Sequence, residues 1–303
     1  MGNSNSRKQS SFIAGRKKCK YPYLHWKRLR DEEAWSRPVA LKSIKNSQDI
    51  TSEYINELRT HHRCISAPPS YSGEMSKLYW LRNITGNLST IHKVGFTHRN
   101  LHPGNILVGQ VKKDGETVTV AKLAHLGLSR PANKKGPLDG LYGVLPYFAP
   151  EVLQGKKYTK DADIYCIGII MAELSTGIPP FVDRAHDTSL AIEICKGLRP
   201  SFAQGTPDNY IRLACQCFNV NPSERPNAEF LAHTFHNWWM MTQKNDVLSD
   251  AFLAADKVIP ELNTNFYVNP DAIYTSRLIS FENNEQDSPK TVNFLTSNMI
   301  NQN

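Results

Sequence analysis

The side chains with the most chemistry in this sequence lie in one short stretch, His98-Arg99-Asn100-Leu101-His102-Pro103-Gly104-Asn105, followed at once by the apolar Ile106-Leu107-Val108. Amides, imidazoles and a guanidinium at this spacing can orient a polar ligand through hydrogen bonds. They are poorly suited to taking a proton from it. The Asn100 amide oxygen accepts hydrogen bonds but is far too weak a base to be protonated near neutral pH. Downstream, Leu123-Ala124-His125-Leu126-Gly127 offers one further polar group, His125. Imidazole is a poor ligand for a hard cation that wants oxygen. Upstream, Val39-Ala40-Leu41-Lys42 reads as a short strand ending on a cation. Glu57 lies in the stretch from Asn46 to His61, where Ile55 and Leu58 have helical spacing behind a capping Asp49 or Thr51. A pair of ordinary exposed charges is the plain alternative for Lys42 and Glu57.

These groups need elements to hold them. Leu78, Leu81, Ile84, Leu88 and Ile91 step by three and four, which predicts an amphipathic helix over Lys77 to His92 delivering the chain to His98. A hairpin follows: Asn105 to Val111, a turn at Lys112-Lys113-Asp114-Gly115, then the alternating Val118-Thr119-Val120, which returns the chain to His125. Asp161-Ala162-Asp163-Ile164-Tyr165 opens a second helix, with Ile167, Ile170, Met171 and Leu174 as a buried stripe.

In order and spacing these motifs, together with Ala149-Pro150-Glu151 and the Arg225 of Asn221-Pro222-Ser223-Glu224-Arg225-Pro226, resemble the protein kinase family over roughly Arg37 to Trp239. The resemblance is nearest to the tyrosine-kinase-like group. It implies an α+β, two-lobed fold: a mostly helical large lobe over residues 75–240 and a reduced, β-containing small lobe over 36–74. Residues 1–35 are then a basic, unstructured tail and 241–303 a partly unstructured C-terminal tail. By the same resemblance Lys42 contacts nucleotide phosphates and pairs with Glu57, while Ala40 and Leu107 border the nucleotide. Asn100 stands where the family's proton-accepting Asp stands. Asn105 is the family's amide metal ligand, and His125 replaces the magnesium-binding Asp ahead of Leu126-Gly127. His98, Arg99, Gly127 and Asp163 are structural, with Asp163 bracing the loop, and Glu151 pairs with Arg225.

Several family parts are absent. Ahead of Lys42 the only glycines are Gly2 and Gly15, so no glycine-rich loop lays backbone amides over phosphates. The short stretch between Glu57's helix and Lys77 contains Ala67-Pro68-Pro69-Ser70, which breaks strands. The expectation is a pseudokinase: a catalytically impaired signalling module that acts as a scaffold or allosteric partner of other signalling proteins, an active kinase among them. The alternative is an active atypical kinase that uses ATP and magnesium on Ser/Thr or Tyr of protein substrates. Under the first reading nucleotide binding is weak or absent.

The chain has 303 residues, 40% hydrophobic and 21% charged, with a formal net charge of +8. The charge is local. Residues 1 to 30 hold nine Lys or Arg (Arg7, Lys8, Arg16, Lys17, Lys18, Lys20, Lys27, Arg28, Arg30) and no acid. Met1-Gly2-Asn3-Ser4-Asn5-Ser6 fits an N-myristoylation pattern, which makes Gly2 a candidate acylation site and the basic run an anionic-membrane contact. A solvated tail that merely begins Met-Gly is the plain alternative. No specific nucleic acid partner is expected. The six cysteines are scattered and no apolar run is long enough to span a bilayer, which favours reduced thiols in a cytoplasmic protein, peripheral at most to the inner membrane surface.

Overall fold

The helix expected over Lys77 to His92 runs Ser76–Lys93 (α1) in the computed structural model, which describes residues 76–113, 116–132, 141–243, 250–252, 254–255 and 266–279. Gly2, Ala40, Lys42 and Glu57 lie outside the described residues, as do the expected small lobe, the N-terminal tail and residues 280–303. The α1 stripe is buried at Leu78, Leu81, Ile84 and Leu88, with Trp80 beside it. It packs against the last long helix and against the hairpin. At one end the Tyr79 and Trp239 rings meet at 5.3 Å, with the Arg82 guanidinium over both.

From α1 the chain makes β1 (Phe96–Thr97), then the hairpin β2 (Ile106–Lys113) and β3 (Glu116–Leu123), then β4 (Arg130–Pro131) and β5 (Leu141–Gly143). The hairpin pairs in unbroken antiparallel register from Ile106↔Leu123 to Lys113↔Glu116. β1 pairs antiparallel with β4. Helices then take over: α2 (Pro150–Leu153), α3 (Lys160–Thr176), α4 (Thr188–Cys195), α5 (Asp208–Cys217) and α6 (Ala228–Thr242). Short polar side chains start two of them. Asp187 accepts from the Leu190 N–H at 3.1 Å, and Asn227 from the Phe230 N–H at 2.8 Å.

Helix α3 is the axis of this lobe, and it departs from the expected stripe. Every residue from Ala162 to Ala172 is buried, so the helix is covered on all sides rather than on one face. The cover is close at Gly168, where a Cβ would stand 2.8 Å from Phe218 Cδ1, 2.9 Å from Cys217 Cβ and 3.0 Å from the Ala214 carbonyl oxygen. Gly177, in left-handed backbone, ends the helix with its N–H on the Glu173 carbonyl.

Residues 250–252 and 254–255 are helical. Phe252 packs on Trp238 at 5.7 Å. Residues 266–279 are not a loose tail. They return to the lobe, bury Ala272, Tyr274 and Ile279, and end in β6 (Arg277–Ile279), which pairs antiparallel with β5. The four described cysteines Cys166, Cys195, Cys215 and Cys217 are unbridged. No helix among the described residues is long and apolar enough to cross a membrane.

Candidate functional site

The loop from His98 to Asn105 hangs on one carboxylate. Asp163, wholly buried in the first turn of α3, accepts hydrogen bonds from the backbone N–H of His98 at 2.8 Å and of Arg99 at 3.0 Å. It also accepts from the His92 imidazole at 2.9 Å and the Tyr158 hydroxyl at 2.8 Å. These bonds offset the cost of burying the charge. They also hold Arg99 in left-handed backbone, φ 72°, a conformation that a residue with a Cβ adopts only when its surroundings impose it. Arg99 lays its guanidinium over the Tyr158 ring at 5.5 Å.

Inside the loop, Asn105 ties the ends together. Its Nδ2 donates to the Asn100 carbonyl at 2.7 Å and lies 3.0 Å from His102 Nε2. The backbone N–H of Ala124 bonds the Asn105 carbonyl at 2.9 Å, so the hairpin places His125 next to the loop. His98 donates from Nε2 to the Ala124 carbonyl at 3.0 Å. Burial lowers the pKa of His98 despite the nearby Asp163 carboxylate. Burial, with smaller contributions from His98 and His125, pushes His102 down to about 3. Both imidazoles are therefore neutral at physiological pH.

The hydroxyl of Ser276 sits over Asn100. It lies 3.0 Å from Asn100 Nδ2 and 3.2 Å from Oδ1, and 2.9 Å from His102 Nε2. It accepts from the amide nitrogen while its own proton faces two neutral acceptors. Gly143, at the end of β5, closes the other side: a Cβ there would stand 2.8 Å from Phe148 Cζ and 3.3 Å from Asn100 Oδ1. The site thus holds an alcohol beside one weak base, the buried His102 imidazole, and no carboxylate.

His125 is exposed and in left-handed backbone, φ 61°, ψ 49°, just before the turn Leu126–Leu128 that contains Gly127. Where the family resemblance would seat magnesium, Asn105 offers an amide and His125 an imidazole, and no group of three or more His, Cys, Asp or Glu able to hold a metal stands together among the described residues. These side chains do not fit a hard dication. Leu107 on β2 is 54% exposed. Farther away, Arg225 donates to both oxygens of Glu151, at 2.7 and 2.8 Å, in a buried fork.

Sequence reasoning assigned no role to His92, Tyr158, His102 or Ser276. His102 lies inside the His98–Asn105 stretch, while His92 and Tyr158 lie near motifs without belonging to them. Ser276 sits in a stretch whose pattern gives no sign that it returns to the loop.

A protein kinase domain family model matches residues 40–239, about two thirds of the chain. Among curated proteins the chain is 36% identical over 138 residues to the probable serine/threonine-protein kinase drkA of Dictyostelium discoideum, covering 44% of this chain and 19% of that protein. It is 34% identical over 163 residues to the probable serine/threonine-protein kinase gdt4 of the same organism, covering 51% of this chain and 10% of the other. It is 30% identical over 156 residues to a calcium and calcium/calmodulin-dependent serine/threonine-protein kinase of Lotus japonicus, covering 50% and 29%. The chain spans less than a third of each of these relatives. A loop braced by a helix carboxylate, a buried Glu–Arg fork and a family model that spans both agree: this chain belongs to the protein kinase domain family.

Proposed function

We propose that this chain is a kinase-type signalling domain that recognises a hydroxyl-bearing protein segment but transfers phosphate poorly, as a pseudokinase of the tyrosine-kinase-like group. One observation carries the reading. The hydroxyl over Asn100 is held by the Asn100 amide, which is not a base, and by the imidazole of His102, which burial makes a weak one. General-base assistance contributes about 10²–10⁴ in rate where it operates. The electrostatic clamp on phosphate is worth more, and an amide at Asn105 with an imidazole at His125 does not supply the carboxylate that holds the metal. Such a domain works as a scaffold or allosteric partner of other signalling proteins in the cytoplasm. Its basic residues 1–30, with or without an acyl group on Gly2, bring it to anionic membrane surfaces.

A second reading, an active atypical ATP-dependent Ser/Thr kinase, is favoured by the names of the three relatives above, each a serine/threonine-protein kinase. Calorimetric titration of the purified chain with ATP, with and without magnesium, separates the two. Weak binding that magnesium does not strengthen is expected. Tight magnesium-dependent binding, together with phosphate transfer to a protein substrate, would establish the second reading instead.

A further inference from the structure

Residues 266–279 are fastened to the lobe on both sides of Ser276. Upstream, the Asn269 N–H donates to the Val182 carbonyl at 2.9 Å and the Tyr274 hydroxyl to the Pro180 carbonyl at 2.7 Å. His186 serves the same strip three times. Its backbone N–H reaches the Asp271 carbonyl at 3.0 Å, its Nδ1 accepts from the Ile273 N–H at 3.1 Å, and its ring meets Tyr274 edge-on at 4.7 Å. Downstream, β6 pairs with β5 in the register Gly143↔Arg277, Tyr142↔Leu278, Leu141↔Ile279, and Arg277 Nη2 donates to the His186 carbonyl at 2.9 Å. Between the two fastenings the strip presents Ser276 to the catalytic loop.

Adding an extended segment to an exposed strand is a recurrent way of binding peptides, in which backbone bonds give affinity and alternate side chains give selectivity. The strip has that form. Tyr274 and Ile279 are buried and Leu278 is 62% exposed. The side chain over Asn100 is a small hydroxyl with matched hydrogen-bond partners. Phe181, in the loop that receives the strip, is held at φ 60°, strain that a non-glycine residue carries only where the fold imposes it.

The geometry points to residues 266–279 being a built-in ligand of the groove between the catalytic loop and β5, competing there with an extended segment of another protein that carries Ser or Thr, a basic residue directly after it and an apolar residue two positions beyond the basic one, as Ser276, Arg277 and the buried Ile279 do here. This rests on reading the site as a kinase-type acceptor site, and it does not depend on whether phosphate is transferred. A three-residue ribbon is weak by itself, so the strip can leave while the helical lobe stays folded. A tethered ligand acts at an effective concentration in the millimolar range, so an outside segment binds well only once the tether is weakened.

The test uses the full chain and a fluorescein-labelled synthetic peptide of residues 266–279, followed by fluorescence anisotropy, together with hydrogen exchange at the amides of residues 277–279. Ser276→Glu puts a charge against the Asn100 amide and His102. It should speed exchange there and tighten peptide binding, each by about tenfold or more over the parent. Leu278→Glu, at an exposed position, should match the parent in both. Ser276→Ala, which removes only the hydroxyl, should shift both measures in the same direction by about fivefold, the worth of one neutral hydrogen bond; it decides the matter if the glutamate variant does not fold. Peptide binding that is equal in the parent and the Ser276 variants, or absent from all, would overturn the inference. That result would leave impaired transfer standing, because the readout is binding and not turnover.

Discussion

The guanidinium of Arg225 and the carboxylate of Glu151 meet through two parallel bonds, 2.7 and 2.8 Å long, with both side chains buried. Arg225 also donates to the carbonyls of Asn219 and Asp161, both at 2.9 Å, so it joins the segment before α6 to the start of α3. Removing one partner strands the other charge in the interior. Arg225→Ala should cost about 3–5 kcal/mol. Arg225→Lys keeps the charge but not the fork, and should recover only part of that loss. Urea unfolding of the three proteins, with midpoints compared at constant slope, measures both.

Glu173, in α3, gives the lobe a pH dependence of definite sign. Burial pushes its pKa up to about 8, against the opposing hydrogen bond from the Tyr147 hydroxyl. A carboxyl that holds its proton more tightly when folded stabilises fully below its unfolded pKa of about 4.5, and that contribution is lost as pH rises through about 8. Glu173→Gln should therefore flatten the fall in melting temperature between pH 5 and pH 8. His102 acts in the opposite sense. Held down to about 3, it contributes stability above about 6.5 that is lost as pH falls toward 3. The parent should consequently lose stability on both the acid and the alkaline side, and the glutamine variant mainly on the acid side.

The contact of α3 with α5 at Gly168 leaves no room for a methyl group, since two of its three neighbours are the Ala214 carbonyl oxygen and a Cβ atom rather than a flexible side-chain end. Gly168→Ala should destabilise by about 1–3 kcal/mol through overpacking, despite the better helix propensity of alanine. A rise in thermal stability would show that α5 shifts freely.

Returning carboxylates to the loop should not restore an enzyme. The double variant Asn100→Asp, His125→Asp supplies a proton acceptor and a metal ligand. It supplies neither a glycine-rich loop for the phosphates nor free access to position 100, where the Ser276 hydroxyl sits. Misplacement of a reacting group by about 1 Å can already cost about 10²-fold. Transfer of radiolabelled phosphate to a generic protein substrate should stay at background in parent and double variant alike, and robust metal-dependent turnover in the variant would contradict this.

The basic run over residues 1–30 should carry the chain to anionic vesicles. Each Lys or Arg near such a surface contributes about 1 kcal/mol. Pelleting with phosphatidylserine liposomes, with and without residues 2–30, should show binding only in the longer form and a loss of binding in high salt. Equal pelleting would refute the idea. A loss confined to Gly2→Ala would assign the effect to an acyl chain.

The parts of this fold that were legible in the sequence are those whose signal is local. Helix α1 shows its buried face in the spacing of Leu78, Leu81, Ile84 and Leu88, and the hairpin shows itself in alternation around a turn. Helix α3 was visible as a helix, but its pattern alone did not show that it is covered on all sides, because a one-sided stripe and a helix buried all round share Ile167, Ile170 and Met171. The bonds of Asp163 to His92 and Tyr158 depend on side chains brought together by packing. The return of residues 266–279 was hidden altogether. Asn-Pro-Asp-Ala-Ile-Tyr-Thr-Ser-Arg has no sustained period, its backbone fastenings go to Val182 and His186, and its strand partner lies far back in the chain at β5.

Asp163 separates shape from reaction. Its four donors come from the end of α1, two loop amides and Tyr158, and none of them is residue 100. The curvature of the loop is inherited from the central helix, so whatever occupies position 100 is displayed at the same place and angle. A lineage can therefore exchange the reactive group for an inert one without deforming the surface that partners touch. The recognition face and the reaction are separately heritable traits, and the first can outlive the second.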